Sequence, residues 1–104
     1  MLTLVIHAPK ARVRKDGSRS FLGTFNSGVG EEYAIYSTLP PIPSGSKLVL
    51  LSKDEELRAE GDVLQLVPKG KAKNGVQLYD VHVRNLQMVS YKPEPLNRCG
   101  VAVI

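Results

Sequence analysis

The chain has 104 residues and carries 42% hydrophobic and 23% charged residues, the balance of an ordinary globular domain rather than a fibrous or disordered chain. Its size admits one domain, residues 1–104, and no second core. The formal net charge is +4, and apolar stretches are four or five residues long, which excludes a membrane-spanning helix of about 20 residues.

The apolar run Leu2–Ile6 comes before the basic residues, the reverse of a secretory leader. One cysteine, Cys99, cannot form an internal disulfide, so the expected compartment is the cytoplasm. Leu2–Ile6 is rich in β-formers and reads as the first strand, ended by Pro9, which removes a ladder donor. Residues 10–32 are polar, basic and glycine-rich. Asp16-Gly17 is a turn signal, and the segment reads either as an exposed hairpin or as a mobile basic loop. Phe21, Leu22 and Phe25 are expected to pin its far end to the core.

Tyr33–Tyr36 reads as a second strand. Pro40, Pro41 and Pro43 make the following stretch an extended, stiff turn. Lys47–Leu51 is a nearly continuous apolar run, the pattern of a strand buried on both faces. Ser52 and Glu55 match a capping box, in which the serine oxygen caps an open N–H and the glutamate reaches back. With Gly61 as a stop, this predicts one short helix of about two turns at most over residues 53–60, anchored only by Leu57, with a 3₁₀ turn or a loop as the alternative.

Asp62–Val67 reads as a strand stopped by Pro68, and Asn74-Gly75 as a hairpin turn. Val76–Tyr91 is the longest strand-like segment. Its apolar positions change phase twice, from Val76 and Leu78 to Val81 and Val83, then to Leu86 and Met88. A period-two face cannot switch without an extra residue, so bulges are expected near Tyr79-Asp80 and near Asn85. Cys99–Ile104 supplies a last strand. The expected fold is therefore all-β or β-dominated, a small, strongly bent antiparallel sheet closing as a barrel.

Charge is unevenly placed. Lys10, Arg12, Arg14, Lys15 and Arg19 form one basic cluster and Lys69, Lys71 and Lys73 a second, while residues 53–62 are acidic on balance. Two such clusters on one face would hold a polyanion, each phosphate contact releasing a counterion; the plain reading is that they keep loops soluble. Asp80, His82 and Arg84 alternate onto one face of the bent strand, opposite Val81 and Val83. An acid, an imidazole and a guanidinium in a row suit a base edge or a phosphate; the plain reading is a solvated face with a cross-strand ion pair. Phe21 and Phe25 beside the first basic cluster, with Tyr33, Tyr36, Tyr79 and Tyr91, offer stacking surfaces if they are not core.

Other chemistry is poorly supported. His7, His82 and Cys99 have no metal-ligand spacing, and a Cys99–His dyad depends on a contact only folding supplies. Gly28-Val29-Gly30 is followed by Glu31, Glu32 and Tyr33 rather than a third glycine, and Gly70-Lys71 lacks the upstream glycine of a P-loop. No catalytic residue, metal or cofactor is assigned.

Glu60-Gly61-Asp62-Val63-Leu64-Gln65-Leu66-Val67-Pro68, followed after a loop by Tyr79-Asp80-Val81-His82-Val83, resembles the Gly-Asp-opened central strand and the next strand of the PUA-like β-barrels, including ASCH and EVE domains. Lys53-x-x-Glu56-x-Arg58 is similar to part of the ASCH signature, with Leu51 where that signature has glycine. The resemblance implies a pseudo-barrel that binds RNA or modified DNA bases in a cleft.

The expected function is a non-enzymatic nucleic-acid-binding domain for RNA or single-stranded DNA, with Lys10, Arg12, Arg14, Lys15, Arg19, Lys69, Lys71 and Lys73 on phosphates and His82 and Arg84 nearer the bases. The rival is a protein-interaction or assembly module, or a homodimer, using an exposed edge strand. An enzyme ranks third. A deep cleft lined by Asp80 and His82 would reopen that question.

Overall fold

The structure is a computed structural model and describes residues 3–8, 20–34, 42–94 and 101–103. Its elements are β1 (Thr3–His7), α1 (Phe21–Ser27), β2 (Val29–Ala34), β3 (Lys47–Ser52), β4 (Leu57–Lys71), β5 (Gln77–Val89) and β6 (Val101–Val103). They form one six-stranded sheet in the order β2-β5-β4-β3-β1-β6.

The strand-dominated fold agrees with the apolar patterning, but two features of the expected architecture do not hold. The sheet is mixed rather than antiparallel, because β1 and β3 run parallel, Thr3 opposite Lys47 through His7 opposite Leu51. Parallel neighbours need a long crossover, and the chain between β1 and β3 supplies it, carrying α1 and β2. The sheet is also not closed as a barrel: β2 and β6 end it, one paired to β5 and the other to β1. Bulges curve a sheet, but closure requires hydrogen bonds between the two end strands.

The core follows from alternation. Leu4 and Ile6 of β1, Leu48 and Leu50 of β3, Ala59 and Val63 of β4 and Val81 and Val83 of β5 form one buried cluster with Phe21 and Tyr33. Val5, Val49 and Leu51 are buried as well, so the middle of the sheet is covered on both faces, as the Lys47–Leu51 run predicts.

The one described helix is not at 53–60 but at α1. Ser20 caps it, its hydroxyl oxygen accepting from the Gly23 N–H at 2.8 Å. Gly28 ends it at φ 76°, donating its N–H to the Thr24 carbonyl at 2.9 Å. Phe21 and Thr24 are buried, and the Phe21 and Phe25 rings stack with centroids 6.4 Å apart. Those two aromatics anchor the segment as expected, whereas Leu22 is 53% exposed and does not.

Residues 53–56 are instead the loop of the β3–β4 hairpin, closed by the pair Ser52–Leu57. Glu56 sits at φ 51°, a left-handed conformation that ends rather than continues a helix. The Ser52 hydroxyl, the supposed cap, is buried without a hydrogen-bond partner. A capping box with one apolar anchor loses to a hairpin that brings Ala59 against Leu50 in the core.

β4 also runs past Pro68, the expected stop, to Lys71. β3 reaches only as far as Asp62, and Val63 exchanges backbone hydrogen bonds with Ser46 and Gly45 at 2.8 Å each. Beyond that point β4 pairs only with β5 among the described residues, and a proline on a one-sided strand breaks no ladder bond. The β4–β5 hairpin turns at Ala72–Val76, with Gly75 at φ 84° and Asn74 Oδ1 accepting from the Val76 N–H at 3.1 Å.

The bulge expected near Asn85 is present. Arg84 to Gln87 of β5 spans Asp62 to Glu60 of β4, and Asn85 takes φ 57°. Near Tyr79-Asp80 the irregularity belongs to the neighbours instead: β2 shifts register between Gly30 and Tyr33, and β4 between Pro68 and Lys71.

Candidate functional site

β5 lies between β2 and β4, so residues on one face of all three can converge. Val81 and Val83 enter the core, which turns Asp80 and His82 to the opposite face. On β2, Glu31 and Glu32 together oppose the single residue Asp80. On β4, Lys69 and Gly70 oppose the single residue Leu78, and Gly70 takes φ 93°. Two bulges thus flank one stretch of β5 and aim side chains from both sides.

The result is an open pocket of about 390 Å³ lined by Gly23, Ser27, Val29, Glu31, Lys69, Asp80 and His82. The end of α1 supplies Gly23 and Ser27. The Ser27 hydroxyl accepts from the Val29 N–H at 3.2 Å and donates to the Val29 carbonyl at 3.3 Å, fixing the helix-to-strand corner. Lys69 Nζ lies 3.8 Å from Asp80 Oδ2, with Lys69 half exposed and Asp80 13% exposed. Among the described residues, no phenylalanine or tyrosine ring lines the pocket. Two carboxylates, an ammonium, an imidazole and a hydroxyl make it suited to moving protons as well as to holding a polar ligand.

Of the residues singled out in the sequence, Lys69 and His82 line this pocket, while Lys71 and Lys73 are exposed toward the tip of the same hairpin. Arg84 is exposed on β5 opposite Asp62 and is not part of the pocket wall. Lys10, Arg12, Arg14, Lys15 and Arg19 lie outside the described residues, as do Tyr36 and Cys99. Tyr33 is 1% exposed and Tyr79 packs on the core, so neither ring is a free stacking platform. Glu31 escaped the sequence reading. Its only local signal was Val29 and Glu31 alternating after a helix-ending glycine.

His7 is held elsewhere. Its Nε2 accepts from the Lys53 N–H at 3.2 Å, and burial lowers its pKa against the opposing pull of Asp54. Lys53 and Glu56 are exposed in the hairpin loop. Arg58 is buried on β4: it bonds Glu60 Oε2 through Nε and Nη2 at 3.0 Å, and through Nη1 it meets Glu94 at 2.9 Å and the Lys92 carbonyl at 2.8 Å. Lys47 meets Glu60 at 3.0 Å, and its hydrogen bond, followed by that of Arg58, holds the Glu60 carboxyl below its ordinary pKa. Arg58 is thus a structural clamp on residues 92–94, not a pocket residue.

Among the described residues, no group of three or more histidine, cysteine or acidic side chains is placed to hold a metal ion. No helix among them is long and apolar enough to cross a membrane. No family model matches the chain, and no curated protein or solved structure does.

Proposed function

We propose that this chain is a nucleic-acid-binding domain for RNA or single-stranded DNA. The observation that carries the reading is the polar pocket opening on the turn-side half of a lysine-bearing hairpin. Lys69 stands in the pocket wall, and Lys71 and Lys73 are exposed nearby with no ion pair among the described residues. Lysines on a projecting ribbon follow a phosphate backbone well, because each contact releases condensed counterions. The acidic groups of the pocket argue against a simple phosphate cradle and for a site beside the backbone path. The resemblance of Gly61–Val83 to PUA-like domains points the same way, although the sheet is open.

Titration of labelled single-stranded RNA and DNA at two salt concentrations tests the reading. Affinity falling steeply with salt supports it. Absence of binding at low salt overturns it and favours the second reading, assembly with a protein partner or another copy of the chain. That reading has its own support: β2 is an end strand, and residues 64–71 of β4 pair on one side only among the described residues. A dimer by light scattering would favour it.

A further inference from the structure

We propose that the pocket cleaves RNA, by attack of a ribose 2′-hydroxyl on its own phosphodiester. The inference goes beyond binding and rests on the nucleic-acid reading for its substrate. It departs from the non-enzymatic expectation: the pocket is open rather than a deep cleft, but it brings a carboxylate, an imidazole and an ammonium together from three adjacent strands.

The strand order places the reacting groups side by side. Glu31 on β2 and Lys69 on β4 flank Asp80 and His82 on the central β5. The Glu31 carboxylate takes the proton of the 2′-hydroxyl. The 2′-oxygen bonds to phosphorus and the bond from phosphorus to the 5′-oxygen breaks. His82, entering as imidazolium, gives its proton to the departing 5′-oxygen. The products are a 2′,3′-cyclic phosphate and a 5′-hydroxyl. Glu31 is left protonated and His82 neutral, and exchange with water restores both. Lys69 meets the charge gathering on the non-bridging oxygens. Asp80, 3.8 Å from Lys69 Nζ, is a positioning residue that keeps the ammonium over the site.

Two observations favour this over a solvated polar face. Asp80 is paired with Lys69, whereas Glu31 brings to the same pocket the kind of group, a proton acceptor, that the attacking hydroxyl needs. The bulges of β2 and β4 both fall opposite residues 78–80, and bulges gather where a strand must re-aim a side chain beside an active site.

The test incubates the whole chain with a fluorescent RNA and with the same strand carrying 2′-deoxyribose. The RNA is expected to yield 2′,3′-cyclic phosphate ends, detected by mass. The deoxy strand is expected to bind and stay intact. Glu31→Gln and His82→Gln are each expected to lower kcat by about 100-fold or more with affinity for RNA retained. Asp80→Asn is expected to lower kcat with KM unchanged, and Asp80→Glu to recover part of it. RNA that binds and stays whole overturns the catalytic inference while leaving the binding reading intact. Cleavage that survives both Glu31→Gln and His82→Gln also overturns it. No binding at low salt overturns the binding reading itself, and the inference with it.

Discussion

Gly61 faces the Arg84 carbonyl so closely that a β-carbon built on it would sit 2.8 Å from the oxygen, and 3.1 Å from the Leu86 α-carbon. This contact lies where β5 bulges at Asn85, whose amide donates to Asp62 Oδ2 at 3.2 Å. The Gly-Asp pair that opens the sequence resemblance therefore has a steric cause here. Both contacted atoms are backbone and cannot move without shifting the strand. Gly61→Ala is expected to destabilise the fold by about 1–3 kcal/mol, read as a lower urea midpoint with an unchanged slope.

Arg58 is 7% exposed and satisfies Glu60, Glu94 and the Lys92 carbonyl together. Removing it leaves the Glu94 carboxylate, 16% exposed, without its guanidinium partner. Arg58→Ala is expected to cost about 3–5 kcal/mol, the usual effect of breaking a buried pair from one side. Hydrogen exchange should rise first at the Lys92 and Glu94 amides. An unchanged denaturation midpoint would contradict the clamp.

Among the described residues, His7 and Glu60 have shifted pKa values that make stability depend on pH. Burial lowers the His7 pKa from 6.5, so the unfolded chain binds the extra proton first. The stability this represents is complete above that value and is lost as pH falls toward the folded pKa, where protonation also removes the acceptor of the Lys53 N–H. The Glu60 carboxyl, lowered from 4.5 by Lys47 and Arg58, loses its contribution in a separate, more acidic step as pH falls below that value. Thermal denaturation against pH should show both declines, and His7→Gln should remove only the first.

Lys71 and Lys73 are exposed and bear no structural duty among the described residues. The double variant Lys71→Ala, Lys73→Ala is expected to leave Tm unchanged. It should reduce the slope of log affinity against log salt by about 1.4, roughly 0.7 for each lost phosphate contact on a single strand. An unaltered slope would remove the hairpin from the binding path.

Leu50 is fully buried, and its strand neighbours are buried on both faces of the sheet. Leu50→Ala is expected to cost about 2–5 kcal/mol by loss of transfer energy and an unfilled cavity. Leu64→Ala, at a side chain 41% exposed, should cost far less in the same denaturation experiment.

Much of the fold was legible locally. The runs expected at Leu2–Ile6 and Lys47–Leu51 correspond to the strands Thr3–His7 and Lys47–Ser52, Asn74-Gly75 turns the hairpin, and the phase change at Leu86 is a bulge at Asn85. Each of these depends on neighbours within a few residues, through side-chain alternation or backbone conformation. The helix was misplaced because Ser52 and Glu55 form a local motif that a non-local contact overrode. Ser20 and Gly28, with Phe21, Thr24 and Phe25 spaced for one helical face, carried the true signal.

The amino-acid order alone determined where the chain is extended, where it turns and which side of β5 faces the core, because these are matters of spacing and sterics. Only the tertiary structure decided that β1 and β3 run parallel, that the sheet stays open and that Glu31, Lys69, Asp80 and His82 share one pocket. Strand pairing joins distant segments, and one extra residue in a neighbouring strand re-aims a side chain without leaving a mark in its own sequence.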